Sequence, residues 1–120
     1  MKSHLIISTS NDLLRIAPES IVYIASDGNY STLVQTDGKS HLLSSQLGKV
    51  EDAIKKAFGN NHSFIRIGKC HIINRSYINY INVSRQKLVL SNASTFHHEL
   101  SASQAALRQL KDFLEKEDEL

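Results

Sequence analysis

The sequence has one cysteine, one proline and no tryptophan among its 120 residues. A single Cys70 rules out an intrachain disulfide, which fits a reducing cytoplasm. With Pro18 as the only proline, and with no run rich in Gly, Ser or Pro, nothing reads as an interdomain linker. No internal repeat or low-complexity segment is present. No apolar run approaches the roughly 20 residues of a membrane span. The opening MKSHLIISTSNDLLRI has one lysine and an apolar patch broken too early for a secretory signal, so neither membrane insertion nor secretion is expected. The most informative absence is of acid: from Ala53 to His98 there is no Asp or Glu.

That gap gives meaning to a bland formal net charge of +2. The gap holds Lys55, Lys56, Arg66, Lys69, Arg75, Arg85 and Lys87, together with four histidines. The acids are concentrated instead at the end, where residues 112–119 carry Asp112, Glu115, Glu117, Asp118 and Glu119 against Lys116. Without that tail, the chain has 13 basic and 7 acidic side chains, a net of +6. A long acid-free block in an otherwise mixed sequence points to a face adapted to a polyanion, and a solvated basic surface is the plainer alternative.

The length suits a single domain over residues 1–120, and folding at this size hides about two-thirds of the unfolded chain's surface. Most of the chain reads as short strands between turn signals. HLIISTS (4–10) and DLLRIAP (12–18) flank an Asn11-Asp12 turn. IVYIAS (21–26) and YSTLVQT (30–36) flank Asp27-Gly28-Asn29, which tolerates positive φ and reads as a hairpin corner. Asp37-Gly38 leads into KSHLLSS (39–45). The period then changes: Leu47, Val50, Ile54 and Phe58 make one helical stripe over residues 46–58, with Ser45 expected as its cap and Gly59 closing it.

SFIRI (63–67) returns to a strand, with Ile65 and Ile67 expected inward. Asn74 is expected to cap a tight turn or short helical turn. INYINVS (78–84) and KLVLSN (87–92) pair across Arg85-Gln86, and STFHHEL (94–100) is the last strand. Ser101 is expected to cap a final amphipathic helix with Ala105, Leu107, Leu110 and Leu114 on one stripe. Acids at a helix C-terminus oppose the macrodipole, so residues 112–120 are expected to fray.

Catalytic signatures are missing: no GxGxxG, Walker loop, GxSxG or HExxH occurs. Neighbours on a strand point to opposite faces, so Cys70 and His71 are poorly placed to act as a nucleophile pair. His97-His98-Glu99 lacks a second ligand cluster at metal-site spacing. No enzyme activity, cofactor or metal is expected.

Four stretches together carry a resemblance: IVYIASDGNYSTLVQTDGK, SSQLGKVEDAI, SFIRIGKCHIINRSYINYI and ELSASQAALRQL. In this order and spacing they resemble the LytTR DNA-binding domain of bacterial response regulators, over residues 4 to about 112. The resemblance implies a mainly β fold: an elongated, antiparallel, multi-sheet β architecture of about ten strands with a central and a C-terminal helix. It also implies that loops, rather than an inserted helix, read successive grooves of double-stranded DNA. The corresponding regions are Asn29 to Ser31, Gly68-Lys69-Cys70, and Ser101 to Ser103. The family usually has a trio such as His-Arg-Ser in the second region and often Ser-Arg-Arg in the third. Here Gly68-Lys69-Cys70 keeps a cation without the His, and Ser101-Ala102-Ser103 lacks the guanidinium.

The resemblance thus implies a cytoplasmic, nucleoid-associated bacterial transcription regulator of two-component type that binds promoter repeats. A regulator of this type without its own receiver domain is expected, so phosphorylation-driven dimerisation within the chain is not; a standalone regulator, one with a separate signalling partner, a homodimer on DNA, or a fragment of a larger regulator are the alternatives. The candidate contact residues, in order, are Lys69, Asn29, Ser31, Ser103, Ser101, Arg75 and Arg66, the last two as structural or phosphate-edge cations. Lys69 is a point charge and lacks an arginine's fork. The competing reading is a small β-rich interaction or dimerisation module with a basic docking face. Single-strand binding would need exposed aromatic platforms, and Tyr23, Tyr30, Tyr77 and Tyr80 are expected to be half-buried.

Overall fold

The computed structural model describes residues 3–92 and 95–118. The chain divides into two compact units, Met1–Arg75 and Ser76–Leu120. Among the described residues they contain ten strands in three antiparallel sheets and two α-helices, the mainly β architecture that the resemblance implies.

The first unit contains β1 (Leu5–Ser8), β2 (Leu13–Ile16), β3 (Ile21–Asp27), β4 (Tyr30–Gln35), β5 (Ser40–Leu43), α1 (Leu47–Phe58), β6 (Phe64–Ile67) and β7 (His71–Asn74). β1 and β2 form a hairpin, and the rest make a five-stranded sheet in the order β5-β4-β3-β7-β6. β7 is the element the sequence does not announce. HIIN is four residues squeezed between a turn and Asn74, too short for its alternation to stand out. It nevertheless joins the two hairpins into one sheet, pairing Ile72 with Ile24 on one side and Ile73 with Ile65 on the other.

α1 forms where the helical stripe predicts it. Leu47, Val50, Ile54 and Phe58 are all buried, joined by Ala57. They pack in one cluster with Leu5, Ile7 and Ile16 of the small hairpin and with Ile24, Leu33, Phe64 and Ile72 of the sheet. Burying each large apolar side chain contributes about 1.5–3 kcal/mol, so this cluster is the unit's main source of stability. Gly59 closes the helix at φ 65, its N–H donating to Lys55 O, as expected. The start differs: Gln46, not Ser45, takes the extended N-cap conformation, and no side chain caps it.

β6 also departs from simple alternation. Phe64 and Ile67 are buried while Ile65 is only half-buried. Phe64 faces α1, and Ile67 shares the opposite face with Ile73 and Val34, which are buried too. A sheet buried on both faces does not display a clean in–out rhythm.

The second unit holds β8 (Ile78–Asn82), β9 (Lys87–Asn92), β10 (Phe96–Ser101) and α2 (Gln104–Asp118), with the strands in the order β10-β9-β8. Leu88, Val89 and Leu90 of β9 are buried, as are Leu107 and Leu110 of α2. Ala105, expected on the apolar stripe, is exposed. The expected start of the last strand at Ser94 lies outside the described residues, as do residues 119–120 of the acidic tail. Helical geometry continues through Asp118, and an i,i+4 ion pair joins Lys111 to Glu115. The cap of α2 is Ser103 rather than Ser101: Ser103 Oγ accepts from Ala106 N–H at 3.1 Å and its carbonyl accepts from Leu107 N–H at 3.0 Å. Ser101 stays in β10, opposite Lys87.

Candidate nucleic-acid interface

Antiparallel pairing brings several turns of the first unit to one end of its sheet. β3 ends at Asp27, opposite Tyr30, leaving Gly28-Asn29 as a two-residue turn. Gly28 takes φ 63, a left-handed value that glycine adopts without steric cost. Next to it, Ile67 pairs with His71, so Gly68-Lys69-Cys70 closes the β6–β7 hairpin, with Gly68 at φ 57. The two tips are stitched together, because Ser26 N–H donates to Cys70 O at 2.8 Å. The β5–α1 junction reaches the same end, since Leu43 pairs with Ser31.

Polar side chains fix these turns. Gln46 Nε2 donates to Asn29 Oδ1 at 3.1 Å, which orients the amide and leaves Asn29 Nδ2 with no partner among the described residues. Arg66 Nη1 pairs with Glu51 Oε1 of α1 at 3.0 Å, and Arg66 Nη2 donates to Lys69 O at 3.3 Å. The guanidinium thus ties the Lys69 backbone to α1. Lys69 itself is exposed, and its ammonium has no partner among the described residues. Tyr30, expected to be half-buried, is 48% exposed beside Asn29, and Tyr80 in the second unit is equally exposed.

Two expected contact residues occupy other places. Ser31 is fully buried, and its hydroxyl donates to Ser45 O at 2.7 Å. It holds the hairpin against the β5–α1 junction and presents no donor to the surface. Arg75 follows Asn74 at the far end of β7, with its N–H donating to Ser63 O at 2.7 Å. A four-residue strand of roughly 13 Å therefore separates it from the Lys69 turn.

In the second unit the β8–β9 turn meets the β10–α2 junction. Ala102 N–H donates to Gln86 O at 3.4 Å and Gln86 Nε2 donates to Ala102 O at 3.4 Å. Gln104 Nε2 reaches Ser84 O, also at 3.4 Å. Ser101 and Ser103 are exposed on this junction. Capping uses Ser103 Oγ as an acceptor, so its O–H can still donate outward.

Cys70 is exposed in its turn and His71 begins β7, where burial pulls the imidazole below its ordinary 6.5. Tyr23 meets His71 edge-on at 6.4 Å, and burial raises its phenol pKa. In the second unit, Glu99 pairs with Lys87 at 3.4 Å and lies 3.8 Å from His97. Among the described residues, no group of three or more His, Cys, Asp or Glu is placed to hold a metal ion, and no helix is long and apolar enough to cross a membrane.

The sequence alone does not mark Gln46 and Glu51 as parts of this arrangement. They act across 17 and 15 residues, and no local pattern marks such pairs.

Turns that carry donors and are tied to a β framework define a loop-presenting binding domain. The chain belongs to the LytTr DNA-binding domain family, whose model matches residues 11–115. Membership makes DNA binding, by a domain of the kind found in the response regulators of bacterial two-component systems, the activity of this fold. Among solved structures, the chain resembles the LytTr DNA-binding domain of a methyl-accepting/DNA response regulator from Bacillus cereus. The match has a TM-score of 0.62 at 16% identity, covers 95% of this chain and 98% of that one, and concerns the fold. A comparison with curated proteins finds no match.

Proposed function

We propose that the protein is a transcription regulator that binds double-stranded DNA in a sequence-specific manner in the bacterial cytoplasm. The observation that carries this reading is the pair of stitched hairpin tips with unpartnered Lys69 and Asn29 donors on a rigid sheet end. Lys69 meets a phosphate or a guanine edge as a point charge, and Asn29 Nδ2 donates to a base-edge acceptor. Ser103 and Ser101 supply hydroxyl donors from the second unit. Ser31 and Arg66 act behind this surface, Ser31 by holding the Asn29 hairpin and Arg66 by holding the Lys69 turn. Promoter repeats bound by a homodimer, under a separate signalling partner, complete the reading.

The test is selection of bound duplexes from a random library, followed by retardation assays on the selected site at two salt concentrations. Lys69→Ala is expected to weaken binding to the selected site roughly tenfold while far-UV circular dichroism stays unchanged. A library that yields no enriched site removes sequence specificity. Unchanged affinity in the variant removes Lys69 from the interface.

A further inference from the structure

The third reading region, Ser101-Ala102-Ser103, contains no cation of its own. The fold brings one to it from 16 residues earlier. One backbone–backbone and one side-chain–backbone bond between Gln86 and Ala102 clamp the β8–β9 turn to this junction, and Gln104 grips the same turn at Ser84. The turn is tightly specified. Gln86 takes φ 55, the one non-glycine residue with positive φ among the described residues, and its N–H donates to Val83 O at 3.1 Å. Asn82 Oδ1 accepts from both Ser84 Oγ and Arg85 N–H at 3.0 Å. Arg85 therefore stands at the tip of a turn whose backbone is fixed on both sides.

Its guanidinium is exposed and makes no hydrogen bond or ion pair among the described residues. The nearest basic residue in sequence, Lys87, is different: its ammonium is engaged by Glu99. A hydrogen-bonded surface framework that holds an unpartnered arginine beside two hydroxyl donors has the composition of a phosphate site. The fork donates to two phosphate oxygens and the hydroxyls donate to the others.

Resting on the DNA-binding reading above, we propose that Arg85 is a DNA-contact residue that neutralises a backbone phosphate at the third region. In this way it replaces a guanidinium that the Ser101–Ser103 segment itself lacks. A phosphate contact fits the arrangement, because the unpartnered guanidinium and the neighbouring hydroxyls are all donors, which matches a group that presents only acceptor oxygens.

The experiment compares the full chain with Arg85→Ala and Arg85→Lys on a selected duplex and on an unrelated duplex across a salt series. Neutralising one phosphate contributes about 0.9 to the slope of log affinity against log salt. Arg85→Ala is expected to lower affinity by a similar factor on both duplexes and to reduce that slope by about 0.9, with Arg85→Lys keeping the slope. An Arg85→Ala protein that matches the parent in affinity and slope overturns the proposal while leaving the DNA-binding reading intact. A loss confined to the selected duplex, with the slope unchanged, also overturns it and makes Arg85 a base reader. A parent protein that retards neither duplex at low salt removes the reading and this proposal together.

Discussion

At the scale of single residues, the side chains that matter most are those whose partners lie far away in sequence. Asn74 is the clearest case. It is 1% exposed, its Nδ2 donates to Ile21 O at 2.9 Å and to Pro18 O at 3.4 Å, and its Oδ1 accepts from Ser63 Oγ at 2.9 Å. The sequence marks Asn74 as a local cap before a helical turn, and a short 3₁₀ turn, Arg75–Tyr77, does follow. The larger role is to join the end of β7 to the start of β3 and the approach to β6. Truncation would leave a buried carbonyl and a part-buried hydroxyl without their partner. Asn74→Ala is therefore expected to cost about 1–3 kcal/mol, seen as a lower urea midpoint with an unchanged m-value. A midpoint within error of the parent would mean that these bonds are readily replaced by water.

At the scale of elements, what the sequence made legible is the periodic part. The α1 stripe, the β3–β4 hairpin and the β8–β9 pair follow from spacing and turn residues alone. What escaped is set by tertiary pairing. β7 was too short to announce itself, and the caps of both helices fell one or two residues beyond the expected serines, at Gln46 and Ser103. Arg66 shows the same limit at the candidate site. The acid-free block makes it look like one of several free cations. Its partner, Glu51, lies just before that block, one strand and one helix away.

The Arg66–Glu51 pair is solvent-exposed and contributes under about 1 kcal/mol to folding. Its effect is on the turn, because the same guanidinium holds Lys69 O. Arg66→Ala is thus expected to change stability little yet weaken duplex binding severalfold by loosening the turn beneath Lys69. Since Arg66 acts by positioning, the salt slope should stay at the parent's value. A slope lowered by about 0.9 would show instead that Arg66 meets a phosphate directly.

At the scale of the whole molecule, net charge says little and its arrangement says more. Acids crowd the end of the chain, while the block from Ala53 to His98 has none. Within that block the cations separate by what they touch. Arg66 is bound to Glu51 and Lys87 to Glu99. Lys69 and Arg85 stand at turn tips with no partner among the described residues, one in each compact unit. If both meet phosphates, their counterion release adds, because each neutralised phosphate contributes its own share of the slope. The Lys69→Ala/Arg85→Ala double variant is then expected to lower the salt slope by about 1.8, twice the change of either single variant. They share no hydrogen-bond partner, so their binding losses should also be close to additive. A double variant with the slope of a single one would mean that one of them reads a base edge and releases no counterion. Equal single and double affinities, in contrast, would mean that loss of either contact already lifts the other away from the duplex, which would make the two units cooperate in holding DNA.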